Sequence, residues 1–308
     1  MAVFDFKSLI ANIEKVIVGK TETVKLLLVG LLTNGHILIE DVPGTGKTMM
    51  SLALAKSVSG DFKRIQFTPD LLPSDVTGGY VYNPKTGDFD VKKGPVFANL
   101  LLADEVNRTT PRTQSALLEC MQEHNVTLDG KTFPLPAPFM VVATQNPIEH
   151  QGTYPLPEAQ IDRFLLKISM GYLSAEEEMS VVAAQKAQHP IETLRPVATL
   201  ADILALQEEV KKITVSAQVM QYIVNLVYST RNKEDIKLGA SPRASIALMK
   251  ASSAWALLES RDYVVPEDVA QLLPFVLKHR INVHPKALVS GKTADSIVRE
   301  ILSVVPIP

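Results

Sequence analysis

The chain has 308 residues, a formal net charge of −2, 46% hydrophobic residues and 21% charged residues. That length suits about two domains, and that composition suits a buried core rather than a disordered or fibrous chain. The near-zero charge excludes a global attraction to nucleic acid or an anionic membrane, and the single cysteine excludes both an internal disulfide framework and a cysteine-based zinc site.

The opening run MAVFDFKSLI carries Asp5 and Lys7 and lacks the apolar centre of a signal peptide. The longest apolar stretch, Val24–Leu32, is broken by Lys25 and is far shorter than the ~18 apolar residues of a membrane span. The expectation is a soluble, cytoplasmic protein with no membrane insertion. Short β-type runs then alternate with helical patterns, which is the signature of a parallel sheet covered by helices. The expected strands are His36–Glu40, Arg64–Phe67, Leu100–Asp104, Met140–Thr144 and Phe164–Ile168. The runs LLLAD and MVVAT are apolar throughout, as strands buried on both faces are. Two segments break the rhythm as hairpins. Tyr80–Val91 turns at Asn83–Gly87, and Val126–Phe133 turns at Asp129-Gly130, a pair suited to a two-residue type I′ turn. Cys120, beside Ala116, Leu117 and Met121, reads as a core thiol.

After Ile168 the pattern becomes helical, with expected helices at Ala175–Ala187, Leu200–Lys212, Ala217–Thr230, Pro242–Leu258 and Pro266–Lys278. No strand-type run of similar strength follows. The segment His189–Val197 carries two prolines and reads as a linker. The chain therefore divides into an α/β body, residues 1–195, and a helical second domain, residues 196–308.

The strongest chemical signal is EDVPGTGKT, Glu40–Thr48, which follows an expected strand and opens an expected helix. Gly44 and Gly46 let the backbone turn its N–H groups around phosphate oxygens, with Val42, Pro43, Thr45 and Met49 completing the loop. The helix N-terminus adds unpaired N–H groups and a positive dipole end. Lys47 supplies a point charge for the outer phosphates, and the Thr48 hydroxyl suits Mg²⁺. Asp41 stands where the general pattern has glycine. Aspartate tolerates left-handed geometry, and its charge must point away from the phosphates. The strand LLLAD ends in Asp104-Glu105. Asp104 suits a metal held through water, and Glu105 suits polarising a water molecule.

EDVPGTGKT and LLLADEVNR together resemble the Walker A and B motifs of an AAA+ ATPase. Three longer blocks resemble the MoxR family within it: Asp104–Glu123, Ala143–Phe164 and Gly239–Ser245. The resemblance implies an α/β AAA+ P-loop body with a parallel five-stranded sheet and inserted β-hairpins, followed by an all-helical lid. It implies ATP and Mg²⁺ as ligands. It casts Asn146 as the sensor that orients water, where the residues alone also allow a turn before Pro147. Arg163 becomes an arginine finger acting on a neighbouring subunit, where a local ion pair with Asp162 or Glu158 would be the plain alternative. Arg243, in the first turn of an expected helix, becomes a second phosphate sensor. Val18-Gly19 resembles the stretch that lies against adenine, where a plain turn between helices would be the alternative. Gln66, at a strand end, is read as restraining Glu105 until substrate binds, where a buried glutamine bonded to backbone would be the plain alternative. The family further implies a homo-oligomeric ring, a hexamer, that remodels client proteins in chaperone fashion, including ones with a von Willebrand factor type A domain. A DNA motor, a metal-chelatase-like motor and a nucleotide-gated scaffold are the alternatives. Nucleic acid is not the expected partner, because Lys85, Lys92, Lys93 and Lys131 are interleaved with Asp88, Asp90 and Asp129.

Overall fold

The computed structural model describes residues 4–146, 152–184 and 189–308. Helices α1 (Phe6–Glu14) and α2 (Thr21–Leu32) lead into β1 (Ile37–Glu40), α3 (Lys47–Ser57), β2 (Phe62–Gln66) and the short α4 (Pro73–Thr77). A hairpin of β3 (Gly78–Asn83) and β4 (Asp88–Lys93) precedes β5 (Leu100–Asp104) and α5 (Pro111–Glu123). A second hairpin, β6 (Asn125–Leu128) and β7 (Lys131–Pro134), precedes β8 (Met140–Gln145), α6 (Glu158–Ile161) and β9 (Leu166–Ile168). Then come α7 (Ala175–Ala184) and α8 (Pro190–Thr193). The C-terminal part holds α9 (Leu200–Val210), α10 (Ala217–Ser229), β10 (Ile236–Leu238), α11 (Pro242–Leu258), α12 (Pro266–Leu277), β11 (Asn282–Val283), α13 (Pro285–Val289) and α14 (Ala294–Val304).

The main sheet has five parallel strands in the order β2-β5-β8-β1-β9. Successive side chains on a strand point to opposite faces, and here both faces are buried. Ile37 and Ile39 of β1, Leu100 and Leu102 of β5, and Met140 and Val142 of β8 join one apolar cluster that continues into the lid. Leu38, Leu101, Ala103, Val141 and Ala143 join the other, beneath α5 and the second hairpin. That double burial is why these runs read as uninterrupted apolar sequence. The carboxyl ends of β1, β2, β5 and β8 then deliver Asp41, Gln66, Asp104 and Asn146 to one edge of the sheet, where open α/β folds bind ligands. In the second hairpin Asp129 (φ 45°) and Gly130 (φ 79°) are both left-handed, as a type I′ turn requires.

Three expectations need correction. The segment His189–Val197 is not a free linker. It forms α8, buries Ile191 and Leu194, and is tied to α3 by Lys56 Nζ donating to Ile191 O (2.9 Å) and Val197 N donating to Ser57 O (2.9 Å). The lid is not purely helical, because β10 and β11 pair antiparallel. It also holds α14, which has Thr293 as its N-cap and buries Ile297, Val298 and Ile301. The last residues of the helix expected over Ala175–Ala187 lie outside the described residues. Among the described residues, no helix is long and apolar enough to cross a membrane.

Body and lid meet at Arg280, whose side chain is only 2% exposed. Its Nε donates to Asp162 Oδ1 (2.8 Å), and its Nη1 and Nη2 donate to the carbonyls of Leu165, Val276, Phe164 and Asp162. A separate contact joins α2 to the lid: Lys25 pairs with Glu259 (2.7 Å) and lies over the ring of buried Trp255 on α11.

Candidate active site

A cavity of about 400 Å³ opens at the carboxyl edge of the sheet. Pro43, Gly44, Thr45, Gly46, Lys47, Thr48 and Met49 wall one side of it, and Asp104, Glu105 and Asn146 wall the other. Gly44 (φ 85°) and Gly46 (φ 87°) are both left-handed, which is the conformation that turns the loop's N–H groups inward. Helix α3 begins at Lys47 with no side chain capping it, so its first N–H groups are left for an anion. Val42 does not line the cavity. Its carbonyl instead accepts from Lys47 Nζ at 2.6 Å.

Asp41 keeps a negative φ, so left-handed tolerance is not the reason it stands here. Asp41 lines the cavity, and its buried carboxylate is held by backbone N–H groups on both sides of it. Oδ2 accepts from Met170 N (2.8 Å) and Gly171 N (2.9 Å), and Oδ1 accepts from Val42 N (2.9 Å). The aspartate therefore ties the start of the phosphate loop to the chain leaving β9. The same chain segment meets the stretch expected at adenine: Lys20 Nζ donates to Tyr172 O (3.0 Å), and Gly19 (φ 71°) lies against the Glu177 side chain. Val18 and Gly19 themselves do not line the phosphate cavity.

The acid pair is held by a dense network. Asp104 Oδ1 accepts from Thr144 Oγ1 (2.6 Å), and the same hydroxyl accepts from Glu105 N (2.8 Å). Asp104 Oδ2 accepts from Arg64 Nη2 (2.7 Å) and Nε (3.2 Å). Glu105 is left-handed (φ 56°), an uncommon state for a residue with a side chain and one that concentrates at functional sites. Its Oε2 accepts from Gln66 Nε2 (2.6 Å) and Arg108 Nη1 (2.9 Å). Gln66 thus donates to Glu105, the contact that the expected restraint requires. Asn146 is buried at the end of β8 and lines the cavity. Residues 147–151, which continue its block, lie outside the described residues.

The hydroxyl of Thr48 and the carboxylate of Asp104 are hard oxygen donors lining the same cavity, which fits Mg²⁺. Among the described residues no group of three or more His, Cys, Asp or Glu could hold a metal.

Arg163 and Arg243 lie elsewhere. They line a second cavity with Asp162, Arg280, Asn34 and His36, at the amino ends of β1 and β9. From His36 to Asp41 strand β1 rises about 16 Å at ~3.3 Å per residue. An arginine side chain reaches about 7 Å from its Cα given bonds of ~1.5 Å. Neither arginine reaches the phosphate loop of its own chain. Arg163 is half-buried and pairs with no described carboxylate, so the local ion pair with Asp162 or Glu158 does not form. Arg243 approaches Asp162 at 3.5 Å, which offsets the dipole cost of a cation in the first turn of α11.

Sequence reasoning missed Arg64, Thr144, Asp162 and Arg280. Arg64 had a signal: two residues before Gln66 on a strand, it shares a face with Gln66. Asp162 and Arg280 are 118 residues apart, and no local pattern joins them.

A phosphate loop, an acid pair and a buried amide on a five-stranded parallel sheet, closed by a helical lid, define a P-loop ATPase body of AAA+ type. The description "ATPase family associated with various cellular activities (AAA)" matches residues 36–166, and "AAA lid domain" matches residues 228–301. The chain is 44% identical to Chaperone MoxR1 of Mycobacterium tuberculosis, over 97% of this chain and 81% of that protein. It is 56% identical to the protein YeaC of Bacillus subtilis, over 97% of this chain and 93% of that one. A crystal structure from Cytophaga hutchinsonii superposes with a TM-score of 0.91 at 45% identity, covering 98% of this chain and 94% of its own. The chain belongs to the MoxR family of AAA+ ATPases.

Proposed function

We propose that the chain hydrolyses ATP with Mg²⁺ in active sites shared between adjacent copies of a ring, a hexamer, and uses the turnover to remodel client proteins in the cytoplasm. The observation that carries this reading is the separation of Arg163 and Arg243 from the phosphate cavity of their own chain. A transition state needs positive charge at the γ-phosphate, and a finger arginine is worth ~10³–10⁵ in rate in other systems. These two arginines supply it only to a neighbour. The head-to-tail contact this demands gives a ring when its rotation closes.

Within one site the loop N–H groups and Lys47 bind the phosphates, while Thr48 and Asp104 hold Mg²⁺. The metal neutralises charge on the β- and γ-oxygens when bound. Glu105 takes the proton of the attacking water once Gln66 lets go, and Asn146 orients that water without titrating. The boundary between body and lid falls at residue 195. Hydrolysis reaches the lid through the Asp162–Arg280 joint. The client reading is supported by a relative named a chaperone, and proteins with von Willebrand factor type A domains are the first clients to test. The experiment is ATP hydrolysis per subunit across a wide protein concentration range. The expected result is specific activity that rises with concentration. Flat activity from dilute to concentrated protein contradicts the shared site.

A further inference from the structure

The phosphate cavity contains an arginine with no assigned task. Arg64 sits on the edge strand β2, its side chain 46% exposed, and its Nη2 carries two protons. One goes to Asp104 Oδ2 (2.7 Å) and the other to Gln66 Oε1 (2.7 Å). The Gln66 amide is thereby held with its nitrogen towards Glu105, to which it donates at 2.6 Å. Asp104, Arg64, Gln66 and Glu105 form one continuous chain of hydrogen bonds.

We propose that Arg64 is a positioning residue that couples arrival of the divalent cation at Asp104 to release of Glu105. This rests on the ATPase reading above. Asp104 Oδ2 accepts twice from Arg64 while Oδ1 accepts once, from Thr144, so a cation arriving at Asp104 competes with the Arg64 guanidinium for the same carboxylate charge. Thr144 does not yield: it is buried and fixed by two bonds, giving its proton to Asp104 and accepting from Glu105 N. Arg64 yields, because its guanidinium stands on an exposed edge with solvent beside it and repels an arriving dication. When it leaves, the Gln66 amide loses the donor that fixes its orientation, and the hold on Glu105 loosens. The water-activating carboxylate is restrained while the metal is absent and freed when the metal is in place, so the order of events guards against idle proton transfer.

The test reads metal dependence of binding and not turnover. A fluorescent, non-hydrolysable ATP analogue is titrated by anisotropy against the protein across free Mg²⁺ concentrations. Arg64→Ala removes the competitor of the metal, so the half-saturating Mg²⁺ falls about 2–5-fold, the range set by a partly exposed ion pair. Gln66→Ala removes the second anchor of Arg64 and shifts the half-point in the same direction by less. The double variant matches Arg64→Ala alone, because both act through one contact. An unchanged or raised half-point in Arg64→Ala overturns the proposal, and so do shifts that add in the double variant. Nucleotide binding by the unaltered chain with no Mg²⁺ dependence is a different failure: it removes the metal reading itself, and the latch with it.

Discussion

Replacing Asp162 by alanine is expected to loosen the joint between body and lid. All five guanidinium donors of Arg280 are engaged there, one on the Asp162 carboxylate and the rest on four backbone carbonyls. Asp162 supplies the one opposite charge. Burial already pulls the Arg280 guanidinium down to about 10, with Asp162 holding it up, and it remains a cation at neutral pH. Breaking a buried pair from one side costs about 3–5 kcal/mol. The four carbonyls persist in the variant, which places the expected loss near 3 kcal/mol. The Arg243–Asp162 contact adds little, because Arg243 is 52% exposed. For a domain of this size ~2–4 °C accompany each kcal/mol, so the melting temperature falls by about 6–12 °C. Thermal unfolding can be followed by the fluorescence of Trp255, which is buried on α11 and lies beneath Lys25 of α2. Arg280→Met removes the donors to four backbone carbonyls as well as the ion pair, so it is expected to cost more than Asp162→Ala. A melting temperature within 2 °C of the unaltered chain, estimated as less than about 1 kcal/mol, would refute the reasoning. An Arg280→Met variant more stable than Asp162→Ala would refute it too.

Other outcomes follow from the same contacts. Glu105→Gln keeps ATP binding and lowers turnover about 10²–10⁴-fold, and turnover at the unaltered rate in a steady-state assay removes Glu105 from the water-activating role. Asp41→Ala strands the N–H groups of Val42, Met170 and Gly171. Urea unfolding should show a loss of about 2–3 kcal/mol, partly restored in Asp41→Asn; no loss means the tie to the β9 segment carries nothing. Burial pushes the His36 imidazole down to about 4, with Nδ1 accepting from Val141 N and Nε2 facing Met121 O, so the folded state holds it neutral. The unfolded chain takes up that proton first, below its ordinary 6.5. Stability is therefore full above pH 6.5 and is lost as pH falls towards 4, by about 2 kcal/mol at pH 5. His36→Gln should flatten that slope in urea titrations at pH 7 and pH 5, and an unchanged slope contradicts the assignment.

How much of this was legible in the sequence depended on burial. Strand β5 matches its expected bounds because all of Leu100–Ala103 is buried and reads as one apolar run. Strand β2 is displaced by two residues at its start, since on this edge strand only Ile65 is buried and FKRIQ carries no strong pattern. Strands β10 and β11 have three and two residues, too few for any period to show. Helix α14 had a readable start in Thr293 and an apolar face of Ile297, Val298 and Ile301, and it was nonetheless absent from the expected helices. At the site, the phosphate loop and acid pair are contiguous motifs and were plain. The direction of the Asp41 carboxylate and the Arg280 joint were not, because each depends on a partner over a hundred residues away.

The shared site is tested most directly by mixing two inactive variants, Arg163→Ala and Glu105→Gln. Each lacks one half of every site. In a randomly mixed ring, an interface is complete when an Arg163→Ala copy supplies Glu105 and its neighbour, a Glu105→Gln copy, supplies Arg163. That occurs at about one interface in four for head-to-tail assembly. The account predicts recovery of roughly a quarter of the unaltered activity on mixing. A mixture no more active than the average of its two parts would contradict it.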